Sequence, residues 1–231
     1  APDPGDVLGS DYFRAAAHEM SLAPGSEIIS PGKLLSEGSD ELQEVPPFDD
    51  FTVLSGRPQP AASLYLRTLW RSVGGYSEVF PGGGGVEEFW IKLFARGAKP
   101  LSMPEQRIFQ RPGSLRAGQG VEAEAPLESA MARTAHADLT EGAMALGDHD
   151  AIMAMPGAAR EELEGRLASK RLSGEDRALA SFWLGLSDMS QGLDEAAAGR
   201  FSEAMKSERL QWQPSFYHAL CVCRLRGRGA A

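Results

Sequence analysis

Long apolar runs, cysteine and surplus basic charge are what this 231-residue sequence has least of. No stretch stays apolar over the roughly 20 residues that a bilayer-crossing helix needs, so no transmembrane segment is expected. The opening residues, APDPGDVLGSDYF, have neither a basic n-region nor an apolar h-region, so no signal peptide is read in them. The two cysteines, Cys221 and Cys223, are too close for an easy disulfide and too few for a zinc site. One or both are expected as small core residues of a helix, in a chain kept in a reducing cytoplasm. Lys and Arg number 23 against 32 Asp and Glu, giving a net charge of −9. That balance lacks the basic face of a general nucleic-acid binder, so no nucleic-acid partner is expected. The four histidines, His18, His136, His149 and His218, have neither metal-site nor triad spacing and receive no role. What remains is 42% hydrophobic and 24% charged, enough for one large or two modest globular domains.

Two regimes divide the chain. Residues 1–118 mix short apolar runs with Pro and Gly turns, whereas residues 127–231 are rich in Ala, Leu, Met and Glu. The small, polar, Pro-ended stretch Arg116 to Pro126 holds the linker, placed at 119–126. In the first regime, Phe13, Ala16, Ala17 and Met20 predict a helix over 11–22, capped by Ser10 or Asp11 and stopped by Pro24-Gly25. EIIS at 27–30 predicts a buried strand ending at Pro31-Gly32. A short helix is expected over 48–54, a strand over 61–66, and a helical turn or two over 67–73, closed by Gly74-Gly75. Val86 to Arg96 predicts a helix with Phe89, Trp90, Leu93 and Phe94 on one face and a Glu88–Lys92 pair on the other. Gly97 suits its C-terminus. Residues 100–103 and 106–110 read as extended. Helices alternating with strands point to an α/β layer. The second regime predicts helices over 127–146, 158–169, 175–191, 194–207 and 214–226, an all-α region with short Gly-containing connections.

The run from Ala62 to Leu115 contains, in order, a strand, a basic residue and an aromatic-bearing helix, then VGGY, FPGG, an acidic pair and FWIKLFARG. This order and spacing resemble the acceptor-side half of the family-2 glycosyltransferases. PDPGDVLGSDYFRAAAHEM resembles that family's D-x-D-D region and the helix after it, and residues 46–64 its variable segment. The resemblance covers about the first half of the chain. It implies a partial GT-A, Rossmann-like glycosyltransferase domain over 1–118, in a chain that is a fragment lacking the nucleotide-gripping βαβ half.

Further implications attach to particular residues. A metal held by the D-x-D stabilises the departing diphosphate as a Lewis acid, which here points to Asp3 and Asp6 with Mg²⁺ or Mn²⁺. The family's second acidic position is Gly5. A carboxylate must deprotonate the acceptor hydroxyl. Counted without gaps, the family's E-D pair falls on Gly85 and Val86, and a shift of the Gly82 to Gly85 loop would present Glu87 as the base. RPGS at 111–114 matches the segment that closes over the donor diphosphate, giving Arg111 and Ser114 a phosphate-binding role. Phe89 and Trp90 are expected in the core rather than as a substrate platform.

Ser181 to Leu210 places Leu184-Gly185, Gly192, Ala197, Phe201 and Ala204 at the positions of a tetratricopeptide (TPR) repeat, which the segment resembles. That implies TPR-like repeats over 127–231 and a protein partner bound through them. The leading expectation is an inverting, metal-dependent transfer of sugar from a nucleotide-sugar donor to a glycan or other hydroxyl acceptor. The alternative is a non-catalytic relic of such an enzyme, serving as a TPR interaction module.

Overall fold

A computed structural model describes residues 7–36, 42–44, 63–80, 85–110, 125–136, 146–169, 171–210 and 212–228. The protein is mixed α/β. It divides into two compact units, Ala1–Gly75 with Trp90–Glu124, and Tyr76–Phe89 with Ala125–Ala231. Among the described residues, no helix is long and apolar enough to cross a membrane.

Among the described residues the first unit holds a five-stranded sheet. Its strands are β1 (Val7–Leu8), β2 (Ile28–Ser36), β3 (Leu42–Glu44), β4 (Leu64–Tyr65) and β5 (Pro100–Gln110). β2 is central and runs parallel to β5. Its other edge is shared end to end, β4 pairing with Ile28 and Ile29 and β3 with Lys33 to Leu35. β1 pairs antiparallel with the end of β5. The expected strand stop at Pro31-Gly32 is therefore wrong. Proline lacks a ladder donor and is tolerated in sheets only at edges and bulges. Pro31 meets that condition, because the β2–β5 register shifts between Pro31 and Lys33 and neither β3 nor β4 pairs there. The two extended runs after Pro100 likewise form one strand.

Helix α1 (Tyr12–Leu22) packs on this sheet through Tyr12 and Ala16, which join Ile29 and Met103 in the unit's core. Asp11 occupies its N-cap position but makes no side-chain capping bond. Helix α2 (Arg67–Ser72) ends in a Schellman turn: Gly74 N–H donates to Arg71 O and Gly75 N–H to Trp70 O. Both glycines have positive φ, +75° and +71°. A Cβ on Gly75 would lie 2.6 Å from the Trp70 ring, so that position is fixed as glycine twice over. Helix α3 (Gly85–Ala95) ends the same way at Gly97. The helix expected over 48–54 lies outside the described residues.

The second unit contains α4 (Ala125–Ala135), α5 (Leu146–Met153), α6 (Gly157–Ala168), α7 (Gly174–Ser190), α8 (Asp194–Ala204) and α9 (Gln213–Arg228). One helix over 127–146 was expected; the described residues form α4, which has ended by the turn at His136, and α5, which starts at Leu146. Ser173 caps α7 by accepting from Asp176 N–H at 3.0 Å. The α7–α8 turn is a Schellman motif on Gly192, with Leu193 N–H donating to Asp188 O. α7 and α8 meet closely because Gly185 has no side chain; a Cβ there would sit 2.8 Å from the Phe201 ring. Phe201, Ala197 and Ala204 are fully buried opposite it. Residues 76–80 belong with these helices for physical reasons. Phe80 packs on Trp183 at 5.1 Å, Ser77 donates to Asp176 at 3.0 Å, and Arg166 donates to the Glu78 carbonyl.

Candidate functional site

The first turn of α3 carries Glu87 and Glu88, where the helix dipole favours negative charge. Gly85 opens that turn against the Ser77 carbonyl, 2.9 Å from where a Cβ would stand, so no larger residue fits without movement. Glu87 Oε2 accepts the Ser129 hydroxyl, and Glu87 Oε1 lies 3.8 Å from Arg133 Nη1. Arg133 is also held in a two-point bond by Asp148, Nε to Oδ2 at 3.0 Å and Nη2 to Oδ1 at 2.5 Å. That bond, against the opposing effect of burial, keeps the guanidinium more basic than usual.

Glu88 is 1% exposed, so it does not lie on the outer, solvent-facing side expected of it. Its Oε1 stands 3.1 Å from His136 Nε2 and 3.6 Å from Arg209 Nη1. Two adjacent carboxylates thus meet two arginines and a histidine drawn from α4, the turn that follows it and the α8–α9 connection. Such a cluster compensates its own charges and ties those elements to the start of α3.

Of the residues singled out in sequence, Asp3, Asp6, Arg111 and Ser114 lie outside the described residues, as does the loop at 81–84. Among the described residues, no group of three or more His, Cys, Asp or Glu could hold a metal. Phe89 and Trp90 are buried, at 0% and 4% exposure, as core residues. Sequence reasoning passed over Ser129, Arg133, His136 and Asp148. The spacing of Ser129 and Arg133, four apart on one helix face, was a usable signal. His136 had none, since its partner is distant in sequence. No protein-family model, curated protein or solved structure matches this chain.

His149 forms a second polar feature of this unit. Its Nδ1 is 2.5 Å from the Tyr217 hydroxyl, and its Nε2 is buried with no hydrogen-bond partner among the described residues. Burial lowers its pKa, opposed by Asp148 and Asp150. The unfolded chain therefore takes up the proton first as pH falls. Stability from this group is complete above about pH 6.5 and is lost as pH drops through the histidine range. Urea midpoints should fall between about pH 7 and 5.5. They should fall less steeply in His149→Phe; equal slopes would remove His149 as the cause.

Proposed function

We propose that this chain is the acceptor-side part of a nucleotide-sugar-dependent glycosyltransferase, carrying a TPR-like helical unit. The observation that supports this most is the conformation of the VGGY and FWIKLFARG segments. Strand β4, helix α2 with Trp70, the paired positive-φ glycines and helix α3 follow one another in the order the family resemblance requires. In this reading Glu87 takes the acceptor hydroxyl proton. Asp3 and Asp6 supply hard oxygen donors suited to Mg²⁺ or Mn²⁺, and Arg111 and Ser114 bind donor phosphate. Bound metal would supply charge stabilisation for the leaving diphosphate. The α7–α8 hairpin, with Gly185 against Phe201, supports the TPR-like part of the reading.

The test is transfer activity of the polypeptide that carries these residues. Glu87→Gln should lower turnover by about 10²-fold or more while changing the unfolding free energy by no more than about 1 kcal/mol. Unchanged turnover would remove Glu87 from the mechanism. A second reading has its own support. Glu87 is engaged by Ser129 and Arg133, and the family's acidic positions fall on Gly5, Gly85 and Val86. These favour a non-catalytic relic acting through its helices. In that case nucleotide sugars would not be turned over at all, and Glu87→Gln would change stability alone.

A further inference from the structure

Helix α9 has two faces. Gln213, Tyr217 and Cys221 are buried on one. On the other, Phe216, Ala219, Cys223 and Arg226, with Trp212 in the turn just before the helix, recur at intervals of four, three, four and three, the seam spacing of paired helices. All five are exposed, Trp212 by 62% and Phe216 by 54%. Trp212 and Phe216 meet edge to face at 6.0 Å. Contiguous exposed aromatics of this kind mark association surfaces.

We propose that this seam pairs antiparallel with the same seam of a second copy of the chain, about a two-fold axis at Ala219. The residues are arranged for that occupant. Trp212 and Arg226 stand equally far from Ala219 on either side. A two-fold there sets Trp212 of each copy under Arg226 of the other, a cation over an indole face. Among the described residues Arg226 has no ion-pair partner. Parallel pairing would instead stack Arg226 on Arg226, a like-charge contact. Ala219 on Ala219 lets the two backbones approach closely.

Cysteine chemistry separates the two directions. In the antiparallel pair the two Cys223 residues are about 12 Å apart along the axis, beyond disulfide reach. The two Ala219 positions are adjacent. Sedimentation of this 231-residue chain should show mass rising from 24.8 kDa toward twice that value with concentration. Arg226→Glu and Trp212→Ala should each weaken association by about tenfold or more, with circular dichroism unchanged. Under mild oxidation, Ala219→Cys in a Cys223→Ser background should link two chains, whereas wild-type Cys223 should not. A monomer at every concentration overturns the proposal, whether another protein or nothing then covers the seam. Linkage through Cys223 in place of position 219 overturns it as well.

Discussion

Asp188→Ala is expected to cost about 3–5 kcal/mol, the range for removing one partner of a buried ion cluster. Asp188 is 1% exposed inside α7. It accepts from Arg160 Nη2 at 2.5 Å and from Arg200 Nε at 2.7 Å. Glu164 meets both arginines at 3.1 Å. One carboxylate thus fastens α6 and α8 onto α7. Its loss leaves two guanidinium groups facing a single half-exposed glutamate. The penalty is mostly the stranded charge rather than the worth of the pair itself. Replacing Asp188, Arg160 and Arg200 together by Leu, Met and Met should therefore recover most of the loss. Urea unfolding of the single and triple variants checks this. A single-variant cost below about 1 kcal/mol would mean that solvent already screens the cluster.

Trp183→Ala should cost about 3–5 kcal/mol for a different reason. Trp183 is fully buried, packs on Phe80, and donates from Nε1 to Thr134 Oγ1 at 2.9 Å. Thr134 keeps its own donor occupied on Met131 O at 2.9 Å, so the lost indole bond strands no hydroxyl hydrogen. A net hydrogen bond is worth about 1 kcal/mol, so the cavity dominates. Trp183→Phe, which fills part of the space but cannot donate, should cost clearly less than Trp183→Ala. Equal costs would assign the effect to the hydrogen bond.

The parts of this protein legible in its sequence are those fixed by neighbouring residues. Gly74, Gly97 and Gly192 end helices because a left-handed residue is needed there, and each was readable as a stop or turn. The burial of Phe89 and that of Trp90 followed from residue type and spacing. What depended on distant partners was not legible. β2 passes through Pro31 only because its neighbours leave a gap beside it. Glu88 looks like a surface helix residue until His136 and Arg209 bury it. The Asp188 cluster joins three helices with no local pattern to announce it. At the candidate site the sequence pointed to Glu87, but not to the serine and arginine that engage it, because those lie on a helix remote in the chain.

The most direct measurement is equilibrium binding of nucleoside diphosphates to the polypeptide that carries these residues together with the nucleotide-gripping βαβ half, with Mn²⁺ and again with EDTA. A sugar transferase of the proposed type binds one nucleoside diphosphate in preference to the others. Chelation weakens that binding, and so does Asp3→Asn combined with Asp6→Asn. Absence of binding to any nucleoside diphosphate, with metal present and the protein folded, would contradict sugar transfer and leave the helical unit as the functional part.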